Sequence, residues 1–219
     1  MLIAKDFIFI HVPRTGGTWL RELLKKDAPR SWLLRERCPL HRPVCAELDE
    51  LDRVGEARVY WFVRNPWEWY VSQWKYWSGH YHARTGGYVG PRRDWTYNER
   101  YWARLVERLP SFQAALPLML EERSLSFALE SQCTAVPGMR VGQPLRFEQL
   151  RAGARQILES SGAGLSEGLA AAIAEEPAVN ISKHGHYSEY YTGTGVEAVY
   201  RRDAGIITEF GYEFKGEQG

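Results

Sequence analysis

The 219-residue chain has only three cysteines, Cys38, Cys45 and Cys133. That is too few for a disulfide framework, and the spacing of the first two fits no common zinc pattern. No apolar run approaches the roughly 18 residues of a membrane span. Lys5 and Asp6 precede a short apolar segment that has no cleavage-site pattern, so no secretory leader is expected and the protein reads as cytoplasmic. An excess of either charge is also missing. Lys and Arg total 28 against 27 Asp and Glu, a net charge of +1. This balance argues against a general nucleic-acid binder but leaves room for a local basic pocket. There is no internal repeat and no low-complexity linker. The length suits a single domain spanning 1–219.

Aromatic residues are what the chain has in quantity. Of nine tryptophans, seven lie between Trp61 and Trp102. The order of elements reads as alternating strands and helices. Phe7–Val12 and Arg58–Val63 are apolar, β-rich runs of the kind found in buried parallel strands. Thr18–Lys26 is helical, with Trp19, Leu20, Leu23 and Leu24 on one face. Asn65-Pro66 starts a second helix, on which Trp67, Tyr70, Val71, Trp74 and Trp77 share a face. Glycines crowd Ser78–Trp95, which is expected to be a long loop, with about 78–110 forming an acceptor-side loop and helix insertion. Further helices are expected over Tyr97–Leu109, Ser111–Arg123, Glu148–Ser160, Leu165–Glu176 and Gly195–Phe210. Pro144–Phe147 reads as a short strand, and short elements are also expected at Ser31–Leu34 (strand) and Val44–Leu51 (helix). The pattern implies an α/β fold of three layers, a mostly parallel central sheet flanked by helices. Ligands of such sheets sit beyond the carboxyl ends of the strands.

Both informative motifs fall at such ends. His11-Val12-Pro13-Arg14-Thr15-Gly16-Gly17-Thr18 follows a strand and opens a helix. Backbone N–H groups in such a turn, backed by a helix N-terminus, form an anion site. The segment has the length of the Walker pattern, yet Gly17 stands at its lysine position and Arg14 supplies a cation from within the loop. The second strand ends in Arg64-Asn65, a cation where a nucleoside triphosphatase places its magnesium carboxylate. These departures argue against ATP or GTP hydrolysis and for an anionic nucleotide handled without metal. Arg64 offers a planar donor set for a phosphate, and the Ser72 hydroxyl, two turns into the next helix, is placed to meet the same anion.

HVPRTGGTWL resembles the 5′-phosphosulfate loop of sulfotransferases that use 3′-phosphoadenosine 5′-phosphosulfate (PAPS), and VYWFVRNPWEWYVSQW resembles their 3′-phosphate motif. The form H-x-P-[KR]-T-G-G-T is nearer the carbohydrate (Golgi-type) branch. Leu145–Leu150 and the segment from Asn180 to Tyr212 are similar to later parts of the family pattern, whereas residues 78–140 match none of it. The resemblance implies a P-loop-like fold, PAPS as donor, PAP as product and no metal. It places Arg14 on the 5′-phosphosulfate, where the family usually has lysine. It implies that Thr15, Gly16, Gly17 and Thr18 donate to the 5′-phosphate, that Trp19 stacks on adenine, and that Arg64, Ser72 and Lys183 hold the 3′-phosphate.

Sulfuryl transfer to an alcohol needs alignment, a base for the departing proton and stabilisation of the phosphate that leaves. His41, in the loop Cys38–Pro43, is the expected general base, since a histidine titrates near neutrality. Its place resembles the histidine segment of the heparan/uronosyl 2-O-sulfotransferases. Glu47 is the alternative base, and His80, His82, His184 and His186 lie in expected loops. His11 reads as structural. Tyr81, Tyr88, Trp95 and Tyr97 offer flat faces to a sugar or other large acceptor, and Arg84, Arg92 and Arg93 could meet an acidic one. The acceptor is therefore expected to be a hydroxyl-bearing carbohydrate or small molecule. Two other readings stay open: a kinase-like phosphotransferase with an atypical loop, and a nucleotide-binding module without catalysis.

Overall fold

The computed structural model describes residues 2–3, 7–27, 35–36, 58–85, 97–133, 140–141, 144–160, 165–177 and 184–216. The chain divides into two compact units, one of residues 1–64 and 128–181, the other of 65–127 and 182–219.

The first unit holds the sheet. Its strands are β1 (Leu2–Ile3), β2 (Phe7–Ile10), β3 (Arg35–Glu36), β4 (Arg58–Val63), β5 (Arg140–Val141) and β6 (Leu145–Arg146). The order is β3-β1-β2-β4-β5, with β6 also paired to β4. β2, β4, β5 and β6 are parallel, and β1 joins β2 and β3 antiparallel. The fold is thus α/β with a mostly parallel sheet and flanking helices, as the alternation of elements implied. β2 is buried at all four positions, which is why its sequence is apolar without alternation. Phe7 and Phe9 share a face with Tyr60 and Phe62 of β4. Onto that face pack α1 (Gly17–Asp27), α6 (Leu150–Ser160) and α7 (Glu167–Glu175), through Trp19, Leu20, Leu23, Leu24, Ile157, Leu158, Leu169 and Ile173. Each of these side chains, fully buried, contributes roughly 1.5–3 kcal/mol. Tyr60 and Ser160 hydroxyls meet at 2.6 Å and tie α6 to β4.

The second unit is helical: α2 (Pro66–Thr85), α3 (Tyr97–Arg108), α4 (Phe112–Glu122), α8 (Gly193–Arg202) and α9 (Ala204–Phe210). α5 (Leu125–Cys133), which the sequence reading did not anticipate, begins here and runs into the first unit. Its start is marked by Ser124, whose hydroxyl accepts from Phe127 N–H at 3.1 Å. Asn65 caps α2 by accepting from Glu68 N–H at 3.4 Å, and Pro66 takes the first helical position.

Three expectations are corrected. α2 does not stop before Ser78 but continues to Thr85, because Gly79 lies in a helix already propagated for three turns and costs only about 1 kcal/mol there. Its buried surface is not one stripe: Trp69, Ser72 and Gln73 are as buried as Trp67, Tyr70, Val71 and Trp74. The expected helix 195–210 is two helices that meet at Asp203, whose side chain is drawn into a buried hydrogen-bond cluster. The elements expected at Ser31–Leu34 and Val44–Leu51 lie outside the described residues. No helix among the described residues is long and apolar enough to cross a membrane.

Candidate functional site

The parallel register brings three chain segments to one edge of the sheet. Ile10 pairs with Trp61, Phe62 with Leu145 and Val63 with Arg146. The loop 11–16, Arg64 and the turn 147–149 therefore start from the carboxyl ends of adjacent strands.

The loop is shaped by a few contacts. Val12 N–H closes a tight turn on Ile10 carbonyl at 3.2 Å. The fully buried Thr15 donates its hydroxyl back to Val12 carbonyl at 2.9 Å, which folds the loop over itself. Arg14 lies at φ 61 and Gly16 at φ 84, both left-handed. For arginine that conformation costs roughly 1–2 kcal/mol. Such a turn points successive N–H groups inward as an anion nest. The first helical bond of α1 runs from Leu20 N–H to Gly16 carbonyl at 3.2 Å. The N–H groups of Gly17, Thr18 and Trp19 therefore have no carbonyl within the helix to donate to, and the positive end of the helix dipole lies with them.

Gly17 stands where a Walker loop has lysine because there is no room for a side chain. A Cβ on it would lie 2.3 Å from Cδ2 of His11, whose ring is packed against the loop. This supports the reading of His11 as structural. A Cβ on Gly16 would fall 2.7 Å from Leu150 Cδ1.

Arg64 is 7% exposed. Its Nη1 donates to Arg14 carbonyl at 3.1 Å, and its guanidinium lies 4.4 Å from the centre of the Phe147 ring. It thus secures the backbone at the strained residue while bringing a second cation to the loop. Phe147 was missed as a functional candidate. Its sequence signals were its position at the end of an expected strand and its place in the Leu145–Leu150 segment that resembles a later part of the family pattern.

Beside the loop is a cavity of about 260 Å³ lined by Trp19, Phe147, Glu148, Gln149, Leu150, Arg151 and Ala152. It is smaller than the roughly 300–1,000 Å³ of a whole small-molecule site. Trp19 is 3% exposed, and its buried indole N–H meets no acceptor among the described residues. The Arg151 guanidinium lies 5.5 Å from the centre of the Trp19 indole.

The structure therefore brings together Arg14, Thr15, Gly16, Gly17, Thr18, Trp19 and Arg64. Ser72 is fully buried on α2 in the second unit, so it is not a solvated helix position. His41, Glu47 and Lys183 lie outside the described residues, as do the side chains of His80, Tyr81, His82, Tyr88, Trp95 and Tyr97. His184 and His186 are surface residues of the second unit; His186 Nδ1 caps the turn Tyr187–Tyr190.

Among its described residues the second unit holds a buried ionisable cluster. Asp203 Oδ2 accepts from the Tyr70 hydroxyl at 2.8 Å, and its Oδ1 accepts from Ser126 N–H at 2.9 Å and the Ser126 hydroxyl at 2.6 Å. Leu125 N–H donates to the Tyr70 oxygen at 3.2 Å. Burial pushes the Asp203 carboxyl above the usual carboxylate range, although these donors and Arg202 oppose the shift. Burial, then the neighbouring Asp203, pushes the Tyr70 phenol well up. Nothing in the sequence pattern joined these positions, because their separations along the chain are large.

No family model matches the chain, and no curated protein matches it. Among solved structures it is similar to mouse sulfotransferase SULT7A1 complexed with PAP, at 14% sequence identity and a TM-score of 0.49, over 98% of this chain and 86% of that one.

Proposed function

We propose that this chain is a sulfotransferase that moves the sulfuryl group of PAPS to a hydroxyl of a carbohydrate or other small acceptor, without a metal. One observation carries the reading: a strand–loop–helix turn with a left-handed arginine and glycine, whose backbone is held by a second arginine from the neighbouring parallel strand. The turn and the first residues of α1 offer backbone amides to one anion, and the two cations suit a ligand with phosphates at two positions. A divalent ion would find Arg64 where a nucleoside triphosphatase presents a carboxylate, which favours this reading over a kinase-like one.

The residues present fit the donor on two counts. The His11 ring fills the space beside Gly17, so only a glycine there lets the turn close into an anion nest, and the buried Trp19 indole beside a small cavity suits a nucleobase. In this reading the amides of Thr15 to Thr18 and the Arg14 cation stabilise charge on the departing 5′-phosphate. Arg64 and Ser72, with Lys183, hold the 3′-phosphate. His41 takes the acceptor proton, with Glu47 the alternative base. The carbohydrate branch is proposed from the H-x-P-R-T-G-G-T form and the aromatic content of residues 61–102.

Calorimetric titration tests the proposal. Adenosine 3′,5′-bisphosphate is expected to bind tightly without magnesium and ATP to bind weakly. Preference for magnesium-ATP would return the loop to a phosphotransferase.

A further inference from the structure

Arg151 belongs to no part of the phosphate loop, and the sequence motifs do not single it out. It sits in the first turn of α6 and lines the cavity beside Trp19. Its guanidinium is spread over two acceptors near the end of α7: Nη1 donates to the Ile173 carbonyl, and Nη2 to the Glu176 carbonyl at 2.7 Å. Those carbonyls carry the negative end of the α7 dipole, where a planar cation is most favoured. The same guanidinium lies over the Trp19 indole. α7 is itself packed on the shared core through Leu169 and Ile173, and Lys26 at the end of α1 forms an ion pair with Glu176.

An arginine on a helix surface usually explores many rotamers. This one is fixed at its head by two backbone carbonyls and laid along one face of an aromatic ring. Removing the head releases the ring from one side, while the loop amides, Arg14 and Arg64 keep their own contacts. For a nucleotide seated as proposed above, phosphate contacts and base contacts would thereby be supported by different parts of the unit.

We infer that Arg151 is a specificity-determining residue of the nucleotide site: by tying the end of α7 to the face of Trp19 it fixes the indole that meets the base, so that α7 sets the purine-dependent share of the affinity. The inference rests on the donor reading above. It adds a residue and an element that have no phosphate role.

The test compares two ligands with the same two phosphates and different bases, adenosine 3′,5′-bisphosphate and cytidine 3′,5′-bisphosphate, on the full chain by calorimetry. The wild type is expected to prefer the purine. Arg151→Ala is expected to weaken the adenosine ligand about tenfold and to leave the cytidine ligand within about twofold, so that the preference collapses. Arg151→Lys, which keeps the charge and stem but not the planar fork, is expected to fall between, and it replaces the alanine variant should that one fail to melt cooperatively. Equal weakening of both ligands overturns the inference, as does an unchanged preference in both variants. A wild type that binds both ligands equally overturns it while sparing the two-phosphate reading. A wild type that binds neither removes that reading, and the inference with it.

Discussion

Arg14 and Arg64 do different work at one place. Arg14 accepts a left-handed backbone to bring its charge into the loop, and Arg64 bonds the carbonyl of that same residue. Arg64→Ala is therefore expected to weaken adenosine 3′,5′-bisphosphate by about ten- to hundredfold, the range of a lost charged hydrogen bond, and 5′-AMP much less. Equal losses on both ligands would show that Arg64 only shapes the loop and does not read the 3′-phosphate. Ser72→Ala, run beside it, is expected to show the same ligand bias at a few-fold size. Gly17→Ala isolates the loop itself. Its methyl group cannot coexist with the His11 ring as placed, so a loss of about 1–3 kcal/mol in urea unfolding is expected. A variant as stable as wild type would mean that His11 turns away at no cost. The loop was the most legible part of the site, since strand, glycines and helix are contiguous and their chemistry is local. Phe147 and Arg151 were illegible for the opposite reason: each meets a group supplied by a distant segment, the Arg64 guanidinium for Phe147 and the Trp19 ring and the α7 carbonyls for Arg151.

Helices were legible in the sequence where a cap and an apolar period coincided, as at Ser111 for α4 and Asn65 for α2. Reading failed where composition and context disagreed. The glycines of Ser78–Trp95 suggested a loop, and the helix continued as far as Thr85. At the end of the chain the period 195–210 hid a break, because a single buried carboxylate outweighed it. That carboxylate sets a pH term. Its folded pKa is raised, so between the ordinary carboxylate pKa of about 3.9 and the folded value the native protein binds the extra proton. The stability from this group is full below the ordinary value and is lost as pH rises through the folded one. Asp203→Asn sets a donating amide nitrogen against either the Tyr70 hydroxyl or the two Ser126 donors, at a cost of about 1–3 kcal/mol. The gap in unfolding free energy between wild type and variant is expected to change with pH above about 4 and to level off past the folded pKa. A gap constant over the whole range would mean that Asp203 titrates as it does when unfolded.

For the molecule as a whole, the alternation of strands and helices sufficed to give an α/β fold with a mostly parallel sheet. The antiparallel β1 and β3 were not foreseen, since two-residue strands leave no periodicity to read. Ligand binding offers a chain-wide check on the site. Adding adenosine 3′,5′-bisphosphate is expected to slow amide hydrogen exchange at 14–19 and 147–151 before other described segments. Slowing confined to other segments would move the ligand elsewhere. The division of the chain has a consequence for how it is made. β4 finds its parallel neighbours β5 and β6 only after residues 65–127 have been synthesised, and those residues belong to a unit whose remainder begins at 182. Neither unit can be completed from a continuous stretch emerging from the ribosome. β4 must leave the exit tunnel as an apolar segment with one flank unpaired, a state prone to aggregation. Truncations at 127 or 181 should thus yield insoluble chains, and no circular permutation can help, because the two units alternate twice along the chain and stay interleaved wherever it is opened.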